Sequence, residues 1–339
     1  MPERLFNHKE RASQLEFIHT LGNQLSYATE LGAIAAARTA GFGDKKKADF
    51  EAVEAMRGYL NTLNIKGTIV IGEGERDEAP MLYIGEEVGT GNGREVDIAV
   101  DPLENTNAAA VFGPRAISVL AVSEKGGLFH APDMYMNKLV VGPRAKSKID
   151  IDAPVEHNLA RIAESLDREM SDLVVVVLDR ERNTQIIEGI RKAGARVRLI
   201  PDGDLLPGVM ACFEGSGIHA LMGIGAAPEG VMTAAAVKAL NGEMQARFWP
   251  TKDGEIARLK RMGGEANKVY SQDELASGST IIFSATGVTD GDTLQGVRFF
   301  GGGVRTETLI VSMIGNELVH VGRKDWIHGY EREKIEFRL

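Results

Sequence analysis

From residue 172 onward the chain repeats one pattern. DLVVVVLD (172–179) is apolar almost throughout, as in a strand buried on both faces. A helical pattern follows to about Ala193. ARVRLIPDGD (195–204) then reads as strand and turn before another helix, and IHALMGIGAAPEG (218–230) as strand and turn before the helix VMTAAAVKAL. TIIFSATGVTDGD (280–292) adds one more strand and turn. This βαβα rhythm predicts a parallel sheet covered by helices, with ligands bound beyond the carboxyl ends of its strands. The polar turns DRERN, DGD, APEG and ATGVTDGD all follow such strand ends.

The first half follows a different rule. Residues 13–40 have apolar spacings of three and four and predict a long helix. GFGDKKKAD (41–49) reads as a loop, and 49–63 as a second helix with Asp49 at its N-cap or in its first turn. Strands are expected at Thr68–Ile71, running into Gly-Glu-Gly-Glu, at VDIAV (96–100), at AISVLAVSE, and at KLVVG near residue 140. Helices on a largely antiparallel or mixed sheet are the expected architecture. A polar, aperiodic stretch at 145–160 suggests two domains, an α+β metal-binding half over 1–150 and an α/β substrate-binding half over 151–339.

Composition removes several function classes. The 339 residues carry a net charge of −9, which argues against a general nucleic-acid surface. The single cysteine, Cys212, excludes an intramolecular disulfide and a cysteine-built metal site, and fits a reducing cytoplasm. The charged N-terminal stretch does not read as a signal peptide, and no apolar run approaches a membrane span. The histidines lack HxxxH or HExxH spacing, which argues against zinc, and neither GFGDKKK nor GEGE is a nucleotide-binding loop.

What stands out is acidic. AVDPLENTN (99–107) takes an apolar strand straight into Asp101 and Glu104 on a proline-stiffened turn. Asp49, Glu73, Glu75 and Glu229 occupy comparable positions at other element ends. Carboxylates brought together at strand ends are costly unless a cation lies between them. Hard divalent cations such as Mg²⁺ or Mn²⁺ take such oxygen ligands, and the Leu103 carbonyl adds another donor. Taken singly, each acid is an ordinary surface turn residue; together they favour metal. Thr106 either caps the helix that follows or orients a water beside the metal, and the two roles are compatible. Arg180 and Arg182 either grip a phosphate or form a surface pair with Glu181. Asp202 and Asp204 suit sugar hydroxyls but also an ordinary turn, and Tyr135 suits either core or ligand. Lys45 heads a run that is most simply a solvated turn.

With those residues gathered, the chain resembles the class II fructose-1,6-bisphosphatases of the GlpX type, within the lithium-sensitive sugar-phosphatase superfamily and its D-P-[IL]-[DE]-G-T turn. The resemblance runs from about residue 25 and includes GDKKKAD, GTIVIGEGERDEAPMLYIGEEVGTG, AVDPLENTN, APDMYMNKLVVGP, PDGD, GIGAAPEGV and FSATGVTDGDTLQGV. It implies a layered αβαβα sandwich and a homo-oligomer, dimer or tetramer. It implies metal ligands at Asp49, Glu73, Asp101, Glu104, Glu229 and the Leu103 carbonyl. Glu73, Thr106 and Asp77 would serve catalysis, the last two by orienting the attacking water. Lys45, Glu104, Thr106, Tyr135, Arg180, Arg182, Asp202 and Asp204 would hold a sugar bisphosphate.

The implied reaction is Mg²⁺- or Mn²⁺-dependent removal of the 1-phosphate of fructose-1,6-bisphosphate, a cytoplasmic step of gluconeogenesis. The same chemistry on sedoheptulose-1,7-bisphosphate or another phosphomonoester is the alternative, and a catalytically weak phosphosugar-binding regulator is a third reading. Three departures from the family pattern bear on this. Asn105 stands for the glycine of the turn, RERN (180–183) stands for [KR]-P-R-H, and Ala226 replaces a usual glycine. Where that turn glycine has positive φ, asparagine is the least costly replacement, at about 1 kcal/mol.

Overall fold

The computed structural model describes residues 8–74, 81–315 and 317–329. Helices α1 (His8–Thr39) and α2 (Lys45–Leu60) precede strands β1 (Ile65–Ile71), β2 (Glu87–Val88) and β3 (Arg94–Glu104). The short α3 (Thr106–Ala110) leads to β4 (Ile117–Glu124) and β5 (Tyr135–Val141). Helix and strand then alternate through α4 (Val155–Leu166), β6 (Val174–Leu178), α5 (Thr184–Ala193), β7 (Arg196–Ile200), α6 (Leu205–Met210), β8 (Ala220–Ala226) and α7 (Ala227–Ala239). Next come β9 (Glu243–Trp249), α8 (Glu255–Arg261), β10 (Tyr270–Ser271) and α9 (Gln272–Leu275). Four strands follow: β11 (Thr280–Gly287), β12 (Arg298–Phe300), β13 (Gly303–Ile314) and β14 (Glu317–Gly329).

Among the described residues the strands form two sheets. The larger runs β12-β13-β11-β4-β3-β1-β2, with β14 paired to β13; the smaller runs β10-β9-β5-β8-β6-β7. The first is mixed, as expected, since β1 and β3 are parallel and the other pairs antiparallel. In the second, β6 is parallel to both β7 and β8. The expectation for TIIFSATG is corrected: β11 lies antiparallel between β4 and β13 in the first sheet and takes no part in the parallel set. Its apolar composition reports burial on both faces, which an inner antiparallel strand shares with a parallel one. The break expected near residue 150 falls between β5 and α4. Sheet membership does not follow chain order there, because β5 belongs to the second sheet and β11–β14 to the first.

Side-chain alternation makes the layers. In β3, Val96, Ile98 and Val100 pack with Leu21 and Leu25 of α1 and Val53 and Met56 of α2. Ala99 of β3 and Val119 of β4 face the other way, into a central core with α7, and Met136, Val176 and Leu178 of the second sheet meet them there. On the second sheet's far face, Val175 and Val177 pack with Leu159 and Ile162 of α4 and Ile187 and Ile190 of α5. The order is therefore helices, sheet, helices, sheet, helices: the αβαβα sandwich. Each fully buried aliphatic side chain contributes about 1.5–3 kcal/mol. Among the described residues, no helix is long and apolar enough to cross a membrane.

Local capping shifts two expected boundaries. The Asp44 side chain accepts a hydrogen bond from Lys47 N at 3.0 Å, so α2 starts at Lys45 and Asp49 lies inside the helix, not at its cap. APEG is not a free turn: Ala227 and Pro228 open α7, which places Glu229 in its first turn.

Candidate active site

Strand β3 continues through the acidic motif instead of stopping before it. Asp101 pairs with Val119 and Glu104 with Ile117, so three steps along β3 face two along β4. This bulge absorbs Pro102, which has no N–H to give the ladder, and re-aims the carboxylates. Asp101 Oδ1 accepts from Leu103 N at 3.1 Å, closing the turn. Asn105 then takes the left-handed conformation at φ 65°, ψ 53°. The expected cap is corrected here: Asn105, not Thr106, caps α3, its Oδ1 accepting from Ala108 N at 3.2 Å. Asparagine is among the few residues that tolerate this conformation, and its side chain replaces some of the lost freedom with a hydrogen bond.

The end of β1 is brought alongside by a tight turn. Gly72 packs against the Leu82 carbonyl, where any Cβ would collide, and Glu73 N donates to the same carbonyl at 3.0 Å. Glu86 fastens this loop, taking Arg57 Nε at 2.6 Å together with the Leu82 amide. From the second sheet come Tyr135 at the start of β5, Arg180 and Arg182 after β6, Asp202 and Asp204 after β7, and Glu229 after β8.

These pieces meet in one open cleft of about 480 Å³ between the two sheets. Its lining includes Asp49, Glu73, Asp101, Leu103, Glu104, Thr106, Tyr135, Arg180, Arg182, Asp202, Asp204 and Glu229. Of the residues singled out in sequence, Lys45 is not among the lining: it opens α2 on the exposed surface. Asp77 and Glu75 lie outside the described residues. Cys212 sits just past α6, buried, with its thiol pushed up to about 12 by burial.

The cleft is strongly acidic. Burial raises Asp101 well above the usual carboxylate range, and Glu73, Glu104, Glu229 and Asp49 add repulsion. Glu104 is likewise raised by burial and then by Glu229 and Asp204. Glu73 is pushed up to about 7 by burial and Asp49. Burial also pushes Glu229 up to about 7, with Lys138 opposing the shift. Glu229 Oε2 is buried without a hydrogen-bond partner. An unsatisfied oxygen amid mutually repelling carboxylates is the environment a divalent cation relieves. Among the described residues, no three His, Cys, Asp or Glu side chains close into a compact cage. An open, carboxylate-lined cleft suits a hard cation that keeps waters and shares its shell with a phosphate.

The cationic side is sparse and held in place. Arg182 donates Nε to Ile224 O at 3.0 Å and stacks 4.2 Å from the Tyr135 ring centroid. Arg180 lies 3.8 Å from Asp202 Oδ2, a loose pair. Sequence reasoning missed Asn183 and Lys138. Asn183 is fully buried, donating to the Leu178 and Ile224 carbonyls and accepting from Ile224 N, so it ties the arginine turn to β8. Lys138 is 1% exposed, 2.6 Å from Asp204 Oδ2 and 3.1 Å from the Ala226 carbonyl. A lysine two residues from Met136 and from Val140, on the inward face of an otherwise apolar strand, was the available signal.

A sheet sandwich whose joint gathers carboxylates from both sheets and sets two arginines of the second sheet among them is the architecture of a metal-assisted sugar phosphatase. The chain matches the family model described as bacterial fructose-1,6-bisphosphatase, glpX-encoded, over residues 19–321, and it belongs to that family. It is 53% identical over 317 residues to a protein of Synechococcus sp. (strain JA-3-3Ab), covering 86% of this chain and 91% of that one. It is 47% identical over 347 residues to one of Thermosynechococcus vestitus (strain NIES-2133 / IAM M-273 / BP-1), covering 95% and 99%. Both relatives are named D-fructose 1,6-bisphosphatase class 2/sedoheptulose 1,7-bisphosphatase.

Proposed function

We propose that this chain hydrolyses the 1-phosphate of fructose-1,6-bisphosphate, giving fructose-6-phosphate and phosphate, and that it acts on sedoheptulose-1,7-bisphosphate as well. One observation carries the reading: the acidic residues of four strand ends and α2 share a cleft with Arg180, Arg182 and Tyr135. The relatives' names supply both substrates.

Asp49, Glu73, Asp101, Glu104, Glu229 and the Leu103 carbonyl are the donors that would hold Mg²⁺ or Mn²⁺. Such ions polarise the phosphoryl group, activate water and neutralise the leaving oxygen. Thr106, beside Glu104, would orient the attacking water, with Asp77 assisting. Arg180 and Arg182 would grip the distal phosphate, and Asp202 and Asp204 the sugar hydroxyls. Asn105 lines the same cleft, with its Oδ1 engaged at the start of α3.

We place the enzyme in cytoplasmic carbohydrate metabolism, on the gluconeogenic side, as a dimer or tetramer. The exposed side chains of Phe42, Val111 and Phe112 support self-association. The test is phosphate release from each bisphosphate with Mn²⁺, Mg²⁺ or chelator, alongside Asn105→Gly. Metal-dependent release by the unmodified chain is expected. Silence there with activity in the glycine variant would make the natural chain a phosphosugar-binding protein instead.

A further inference from the structure

A second cavity lies at the opposite end of the smaller sheet, about 660 Å³ in volume, where β5 ends and β6, β7 and β8 begin. Its wall carries Arg144 after β5, Arg168 after α4, Arg196 at the start of β7, and His219 just before β8. Several arginines elsewhere are paired with carboxylates: Arg57 with Glu86, Arg247 with Asp152, Arg298 with Asp290, Arg305 with Asp325. Among the described residues, neither Arg144, Arg168 nor Arg196 has a carboxylate within 4 Å, although Asp172 and Glu214 share the wall. Arg196 donates instead to the Asp172 carbonyl at 2.7 Å, which fixes its direction.

His219 is built into the same wall. Its Nδ1 accepts from Val174 N at 2.9 Å, so the neutral ring carries its proton on Nε2 and remains a donor. Burial and then Arg168 and Arg196 hold its pKa below the ordinary value, with Asp172 acting in the opposite sense. Three guanidinium groups from three elements and a neutral imidazole N–H thus border one concave space. That set recognises phosphate oxygens. The volume exceeds what a bare phosphate fills and lies in the range of small-molecule sites.

We infer that this cavity is a second anion site, separate from the catalytic cleft, which binds a small phosphorylated molecule through Arg144, Arg168, Arg196 and His219. Neutralising the arginines would also relieve His219, so ligand binding raises its pKa. The probe is inorganic pyrophosphate added to the full chain in chelator, followed by imidazole nuclear magnetic resonance with His219 assigned from His219→Gln. The expected result is a saturable shift of the His219 signals and an upward move of its titration midpoint. Arg144→Ala or Arg168→Ala should weaken that response by about fivefold or more, while Arg180→Ala in the cleft should leave it unchanged. Both wall variants are at exposed positions, so loss of folding is not expected, and circular dichroism checks it. An absent His219 response at millimolar pyrophosphate overturns the site. A response that survives both wall substitutions, or disappears with Arg180→Ala, overturns it equally.

Discussion

Lys138 Nζ lies 2.6 Å from Asp204 Oδ2, and the two side chains are 0% and 6% exposed. A lysine this deep in a strand is tolerated because every nearby group wants its charge: Asp204, the Ala226 carbonyl, and the Glu104 and Glu229 carboxylates it holds down. Gly225 makes room for the pair, since a Cβ there would collide with both partners. Removing one partner of a buried pair leaves the other uncompensated. Lys138→Met should therefore cost about 3–5 kcal/mol, read as a shift in denaturant midpoint. Combining it with Asp204→Asn should recover part of that loss. Losses of Lys138→Met and Asp204→Asn that simply add in the double variant would mean the pair is not coupled.

The cleft predicts an inverted pH dependence without metal. Glu73 and Glu229 titrate near 7 when folded and near 4.5 as free side chains. Their folded pKa is raised, so the stability they contribute is complete below about 4.5 and disappears as pH rises through about 7. Each accounts for up to roughly 3 kcal/mol. Asp290 and Glu274 have lowered values and act below this window. In chelator, the melting temperature should be higher at pH 5.5 than at pH 8, and Mg²⁺ at pH 8 should reverse the difference. A flat chelator profile would show that the carboxylates do not repel as placed.

Glu229→Gln separates stability from activity. Its Oε2 has no partner in the described structure, so the amide removes a raised carboxylate without breaking a hydrogen bond of that oxygen. The metal-free variant should melt higher than the unmodified chain at pH 8. Its turnover should fall about a hundredfold or more, the usual scale for losing one electrostatic element of a reacting centre. Unchanged turnover would remove Glu229 from the site.

The turn at Asn105 offers a backbone test. Asn105→Ala loses the cap to Ala108 and keeps the left-handed strain, and should cost about 1–2 kcal/mol. Asn105→Gly exchanges the cap for conformational freedom and should stay within about 0.5 kcal/mol of the unmodified chain. Thermal melts of the two variants distinguish these outcomes. A glycine variant as unstable as the alanine one would place the stability in the side chain alone.

The layers were legible because burial on both faces of a sheet writes an apolar run, as in VVVVL of β6. That same signal cannot tell a parallel strand from an inner antiparallel one such as β11. The acidic motif was legible from Asp101 and Glu104 following an apolar strand, whereas the bulge carrying β3 through Pro102 depends on its pairing with β4. Asp44 and Asp49 both suit a helix start, and only the hydrogen bond to Lys47 decides between them. The role of Lys138 is not legible in sequence because a single charge inside a strand carries no local turn or cap to mark it. Its meaning comes from Asp204, distant in sequence.

Arg182 is set for its role by two contacts that do not involve ligand. Its Nε is committed to Ile224 O, and its guanidinium lies over Tyr135, leaving the remaining N–H groups for an anion in the cleft. Lysine cannot reproduce both a directed Nε bond and a planar stack. If Arg182 binds the distal phosphate in ground and transition states alike, as proposed above, Arg182→Lys should raise KM for the bisphosphate about tenfold or more while changing kcat less. Tyr135→Leu, which removes the stacking face, should move KM in the same direction by a smaller factor. Steady-state kinetics on fructose-1,6-bisphosphate decide it. A fall in kcat at constant KM in Arg182→Lys would place that arginine at the reacting phosphate instead.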